Sequence, residues 1–328
     1  MPSSFTRREF ISSAATAGAG LCLGFPSAAT AEKKTAGTGH SSGGYFDIHI
    51  HLAQPWYGPE HGPISAKDAL RWMDAHGVAQ AAVLPLVSPE SFWYPVTTDF
   101  VLTETKPHRD RLIPFCAIDP RTLGTHLKEK RQVVDMLKRY RDAGARGFGE
   151  HKANLPIDDP LNLRLYEACS EVKLPVLFHL DNYANMDRPG LPGLARIMEA
   201  LPELVMIGHG KGWWASIAGN LTQADLQVSF PAGPVAPGGA IDTLMNRFPN
   251  LYGDLSSSGA HAILRDPKFG EAFLLRHADR LLFGTDYYDP AVPDFLQFKL
   301  FDRVKVPSDV RQKISRENAR RLLGVPAN

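Results

Sequence analysis

Eight short apolar runs, at residues 45–52, 79–87, 112–119, 145–150, 175–180, 204–209, 251–256 and 280–286, are each bounded by turn-forming residues and read as buried parallel strands. Between them, at 66–76, 127–143, 161–172, 193–200, 241–248 and 269–277, apolar residues recur at three and four, the period of a helix packed by one face. Strand and helix alternating over about 250 residues predict an α/β fold, a (β/α)8 TIM barrel in a single catalytic domain. An open, doubly wound sheet shares that alternation. Two segments fall outside the repeat. Residues 213–239, after strand six, are rich in Gly, Pro and aromatics and long enough to cover a site, and 308–324 form a closing helix.

Ahead of the barrel, Thr6-Arg7-Arg8-Glu9-Phe10-Ile11 is a twin-arginine pattern, followed by a weakly apolar run and a small-x-small cleavage site at Ala29-Thr30-Ala31. The expected organisation is a signal peptide at 1–31, a disordered polar tether at 32–44, and the barrel at 45–328. The leader is too short and too rich in Gly, Ala and Ser to span a bilayer, so the expectation is a periplasmic or secreted protein, cut after Ala31. The chain has 36 basic and 35 acidic residues, and loss of Arg7, Arg8 and Glu9 leaves them balanced. That excludes a polybasic groove for nucleic acid or anionic lipid and points to a small-molecule substrate, with a homodimer as the default assembly. Cys116 and Cys169 stand in apolar segments and read as buried thiols rather than a disulfide.

Parallel barrels collect their chemistry where the strands end, and the titratable groups lie there. Strand one ends on His49 and His51, strand four on Glu150-His151-Lys152, strand five on His179, strand six on His209 and strand eight on Asp286. Alternation puts Asp47, His49 and His51 on one face of strand one and Phe46, Ile48, Ile50 and Leu52 on the other. It groups Leu177 with His179, Ile207 with His209, and Leu282 with Asp286. On strand four it places Glu150 and Lys152 with Phe148 and sets His151 opposite, so Glu150, or failing it Lys152, is the inward group. Each residue has a bland reading alone: a hydrogen-bonded core histidine, a helix cap at Asp286, a surface pair between Glu150 and Lys152. Their coincidence at strand ends in one phase argues for a single site. Three or four imidazoles with one or two carboxylates are a set that holds a divalent metal with a position open to water; zinc suits it, and manganese and iron are alternatives.

These residues carry a resemblance. The Asp47-x-His49-x-His51 strand, Gly147-Phe148-Gly149-Glu150, His179, His209, Asn250-Leu251-Tyr252-Gly253-Asp254, Gly284-Thr285-Asp286 and Asn318-Ala319-Arg320-Arg321-Leu322-Leu323 resemble the amidohydrolase superfamily over residues 45–324. The similarity is to its amidohydrolase-related branch of metal-dependent hydrolases, lactonases and aromatic-acid decarboxylases. It implies that His49, His51 and His179 hold the principal metal, with Asp286 touching that metal or its water. It matches Glu150 to a bridging carboxylate, which would permit a second ion shared with His179 and His209.

The reaction expected is hydrolysis of an amide, ester or lactone, with Asp286 moving the proton and His209 either binding metal or polarising the carbonyl. The rival is a metal-dependent decarboxylase. A non-catalytic metal-binding protein is the third reading. Trp56, Tyr57, Tyr183, Trp213, Trp214 and Tyr287 neighbour the proposed ligands in sequence, as lid packing or as a wall for a planar substrate.

Overall fold

The computed structural model describes residues 44–54, 63–124, 129–292 and 294–326. The expected signal peptide, nearly all of the tether, and Trp56 and Tyr57 lie outside the described residues. Eight parallel strands follow in chain order: β1 (Tyr45–Ile50), β2 (Val78–Val83), β3 (Leu112–Pro114), β4 (Phe148–His151), β5 (Val176–His179), β6 (Met206–His209), β7 (Leu251–Asp254) and β8 (Leu281–Leu282). They form a run β1-β2-β3 and a run β4-β5-β6-β7-β8.

Two parallel bridges join the runs into a closed ring. Cys116 pairs with Phe148 between β3 and β4, and Ile50 pairs with Tyr287 between β1 and the continuation of β8. Ladder bonds run across the second seam, from Ile48 N to Phe283 O at 2.9 Å and from His51 N to Tyr287 O at 2.8 Å. The chain is therefore a (β/α)8 barrel. A ring has no edge strand to pair with another chain.

Inside the ring, Phe46, Ile48, Ala82, Ile113, Leu177, Ile207 and Leu282 form one buried cluster with Leu84, Phe115, Ala319 and Leu323. The outer faces pack on the helices. One helix, Ala66–His76, begins with a capping box between Ser65 and Asp68 and stops at Gly77 in the left-handed region. Another, Pro160–Val172, starts with Asp159 capping Leu161 N and proline at its first turn. Among the described residues no helix is long and apolar enough to cross a membrane.

The expected strands are present but shorter, and Leu155–Pro156 and Asn185–Met186 add an unforeseen parallel pair. The helix expected from residue 127 runs Lys130–Asp142. Helices at Thr98–Thr105, Lys211–Ala215, Gly259–Leu264 and Leu300–Arg303 carry too few turns to show a period in sequence. The closing helix is three abutting segments, Ser308–Gln312, a π-helical Lys313–Glu317 and Asn318–Leu323.

Alternation fails on two strands. On β1 the register shifts between Asp47 and Ile50, so Phe46 and Ile48 fill the barrel while Ile50 and Leu52 pack outside with Met73 and Phe283. On β4 it shifts between Phe148 and His151, at Gly149 with φ +138°, so Phe148 lies in the outer layer although Glu150 points inward. Both irregularities lie next to titratable groups, where bulges commonly re-aim a side chain.

Candidate metal centre

At the end of β1, both histidines are fixed from behind. His51 Nδ1 lies 2.9 Å from the Leu84 carbonyl oxygen, which only accepts, so that nitrogen carries the proton. His49 Nδ1 lies 2.7 Å from Asp254 Oδ2. Burial works to raise the Asp254 carboxyl, but its bonds to His209 and His49 hold it below the usual carboxylate range, so it too accepts. The Nε2 atoms of His49 and His51 are then lone pairs, and they face each other at 3.1 Å. Two buried lone pairs at that distance repel unless a cation sits against both.

His209, at the end of β6, repeats the pattern. Its Nδ1 is 3.0 Å from Asp254 Oδ2 and 2.8 Å from Ser256 Oγ. Its Nε2 is buried without a hydrogen-bond partner, 3.4 Å from Glu150 Oε1 and 3.8 Å from Asp286 Oδ2. His179, at the end of β5, is turned the other way. Its Nε2 meets Asp181 Oδ2 at 3.2 Å, and Asp181 is itself pinned by the Tyr183 and Ala184 amides. Its Nδ1 therefore faces Glu150 Oε1, at 2.7 Å. Gly210 permits this: a Cβ there would come within 2.7 Å of His179 Cδ2, and its φ of +96° suits glycine.

Glu150 lies between two groups of donors. Its Oε1 belongs with His179 and His209; its Oε2 is 3.7 Å from His49 Nε2, 3.5 Å from His51 Nε2 and 2.7 Å from Lys152 Nζ. Asp286 Oδ1 closes the first group, 3.6 Å from His49 Nε2 and 3.5 Å from His51 Nε2. Asp286 adopts a left-handed φ of +64°, unusual for a residue with a side chain, and its amide donates to the His49 carbonyl at 2.9 Å. The cluster thus offers two adjacent ligand sets, His49-His51-Asp286 and Glu150-His179-His209, with Glu150 Oε2 reaching toward the first. A third grouping, His49-His209-Asp254, is the proton-bearing rear of the imidazoles and serves to orient them.

The electrostatics agree with this division. Burial alone would raise Glu150, yet the Lys152 ammonium and the surrounding histidines keep it well below its ordinary range. Burial likewise opposes ionisation of Asp286, but His49 and His51 lower it, so it is a carboxylate at neutral pH. Burial opposes charge on His49, which Asp286, Asp254 and Glu150 outweigh. His209 is lowered, first by burial and then by His49.

The structure brings His49, His51, Glu150, His179, His209 and Asp286 to one place. It sets His151 apart: the ring points to the helix layer, 2.9 Å from Asn162 Oδ1. Asp47 stays out of the cluster and ties β1 to β8, accepting from His49 N, Thr285 N and Thr285 Oγ1, and burial raises its pKa to about 7. Lys152 pairs with Glu150 inside the site rather than on the surface. Asp254, Ser256 and Asp181 were not singled out as site residues from sequence. Asp254 and Ser256 share a face at the end of β7, the same strand-end signal that marks His179 and His209.

Among the described residues, Trp213, Trp214 and Tyr287 do not form an aromatic wall. Trp213 and Trp214 are fully buried core, the first edge-on to Phe178 and packed over Gly208, the second donating to the Asp254 carbonyl at 2.8 Å. Tyr287 is buried against Trp72 with ring centroids 4.3 Å apart. Of the residues named as neighbours of the site, only Tyr183 is exposed among those described. The segment expected as a cover therefore begins as core, and beyond Ser216 none of its described residues bonds to the cluster.

No curated protein matches the chain. Among solved structures it resembles an uncharacterized TIM-barrel protein of Bordetella bronchiseptica, with TM-score 0.58 and 20% identity over 85% of this chain and 98% of that one. It also resembles a probable 2-pyrone-4,6-dicarboxylic acid hydrolase of Acinetobacter baumannii, solved with citric acid, with TM-score 0.58 and 14% identity over 86% and 99%. A third is a dihydroxybenzoic acid decarboxylase of Polaromonas sp. JS666, solved with manganese and 2-nitroresorcinol, with TM-score 0.53 and 16% identity over 86% and 97%. Each likeness is one of fold. The sequence model of the amidohydrolase family matches residues 46–325, nearly the whole described barrel with all six clustered side chains, and the chain belongs to that family.

Proposed function

We propose that the chain is a metal-dependent hydrolase acting on an amide, ester or lactone of a small organic acid, with two cation positions that share Glu150. Two observations support the fit to divalent metal: the facing Nε2 atoms of His49 and His51, and the orphaned, buried Nε2 of His209. Bound there, a divalent cation supplies Lewis acidity and brings the pKa of water from about 16 down to about 7. Zinc is the ion we propose first; manganese occupies the decarboxylase neighbour.

The protein's own part is proton transfer and orientation. Asp286 carries the proposal, because it stands beside the Nε2 pair with an 18% exposed side chain while Glu150 and Asp254 are sealed at 0%. It is the carboxylate placed to take a proton from the attacking water and return it to the leaving group. Asp254 and Asp181 hold the imidazoles in the tautomers the ligand sets need.

A decarboxylase is the second reading, supported by the name of the Polaromonas neighbour. One metal-loaded preparation assayed on lactones and esters and, separately, on hydroxybenzoates decides between them. Acid release from the first panel is expected; carbon dioxide from the second would replace the hydrolase with a lyase. For residues 1–31 we propose export by the twin-arginine route, tested by N-terminal sequencing of the exported protein. Glu32 is the expected first residue.

A further inference from the structure

The cluster has a closed side and an open side. His49, His209, Glu150 and Asp254 have side chains at 0% exposure, whereas those of Asp286, His179 and Lys152 are 18%, 17% and 17% exposed. These last three are the most accessible side chains of the cluster. Asp286 is assigned to proton transfer, and His179 is held between Glu150 and Asp181. Lys152 remains. Among the described residues it is the one lysine or arginine in ion-pair contact with the cluster, and that contact is the single one to Glu150 Oε2 at 2.7 Å.

This partner is shared. Glu150 Oε2 also lies within 3.7 Å of both His49 Nε2 and His51 Nε2, so a cation held by that pair draws on the same oxygen. With the cations in place, the Lys152 ammonium faces positive charge across a carboxylate already engaged by them. Asp286 and Asp181 also attract the ammonium, from outside ion-pair contact, but Asp286 stands against the same His49-His51 pair and Asp181 is paired with His179, so a partly buried ammonium in that position gains from another anion. We propose that Lys152 is the anion-recognition residue of this site, and that the substrate carries a carboxylate in addition to the bond that is hydrolysed. This deepens, and rests on, the reading of the cluster as cation-loaded. One carboxylate-sized anion on Lys152 orients the substrate within the site.

The test uses binding, so that it stands apart from turnover. Benzoate and isophthalate are titrated calorimetrically into metal-loaded wild type, Lys152→Met and Lys152→Arg, with the metal content of each measured. The wild type is expected to bind isophthalate at least about tenfold more tightly than benzoate, as one charge-assisted bond warrants. Lys152→Met should erase that preference at unchanged metal content, and Lys152→Arg should keep most of it. Equal binding of the two acids by wild type, an unaltered preference in Lys152→Met, or loss of metal from Lys152→Met each overturns the proposal. If the preference behaves as expected but no ester, lactone or amide is turned over, the hydrolase reading fails and Lys152 keeps its role.

Discussion

His49 Nε2 and His51 Nε2 stand 3.1 Å apart with their Nδ1 atoms committed to Asp254 and to the Leu84 carbonyl. Nothing in either imidazole can relieve that contact without adding a positive charge. Melting should therefore shift with metal: at a hundredfold excess over its dissociation constant, a ligand adds about 2.7 kcal/mol. For a chain of this size that is a rise on the order of 5 °C. Calorimetric scans in chelator and in added zinc or manganese measure it. Coincident scans would mean that the pair holds no ion.

Asp254 accepts from both His49 and His209, so one carboxylate sets two imidazoles. Asp254→Asn preserves shape but removes the charge and frees the tautomers. Metal affinity, read by chelator competition, should fall about 10- to 100-fold while the far-ultraviolet circular dichroism stays unchanged.

Asp286→Asn should lower kcat by about a hundredfold or more and leave the metal content largely intact, because the histidines and Glu150 still bind. Metal analysis of the purified variant beside its turnover rate checks both halves. Retained activity would remove Asp286 from the proton path.

His151 makes a prediction away from the site. Burial lowers its pKa from an ordinary 6.5 to about 4, opposed by the Asn162 bond. An unfolded chain takes up this proton below about pH 6.5, the folded one only near pH 4, so the neutral ring's contribution is complete above 6.5 and drains away as pH falls through that window. The loss amounts to about 3 kcal/mol. Urea titrations at pH 7 and pH 4.5 should show it in wild type and a smaller fall in His151→Gln.

The barrel was legible in the sequence because eight apolar runs with turn residues between them leave few other arrangements. The inward groups at the ends of β5, β6 and β8 were equally legible: Leu177-His179, Ile207-His209 and Leu282-Asp286 each put the titratable side chain on the face of the inner apolar one. On β1 and β4 the face changes midway, since a single irregular pairing reverses every side chain beyond it. His49 and His51 still point inward, but Ile50 and Leu52 do not share a side with Phe46 and Ile48. Trp213 and Trp214 misled for a different reason. Adjacency in sequence to His209 says nothing about depth, and the helix at Lys211–Ala215 turns both indoles into the outer core. Asp254 has no role legible in sequence, because a carboxylate that orients imidazoles from behind looks there like any other strand-end carboxylate.

Metal stoichiometry tests the central claim most directly. Elemental analysis of the metal-loaded wild type and of Glu150→Gln, which keeps the size and removes the shared charge, should give two ions per chain in the first and one or fewer in the second. A single ion in both would contradict Glu150 as the carboxylate common to two cation positions, and no ion in either would contradict the metal site itself.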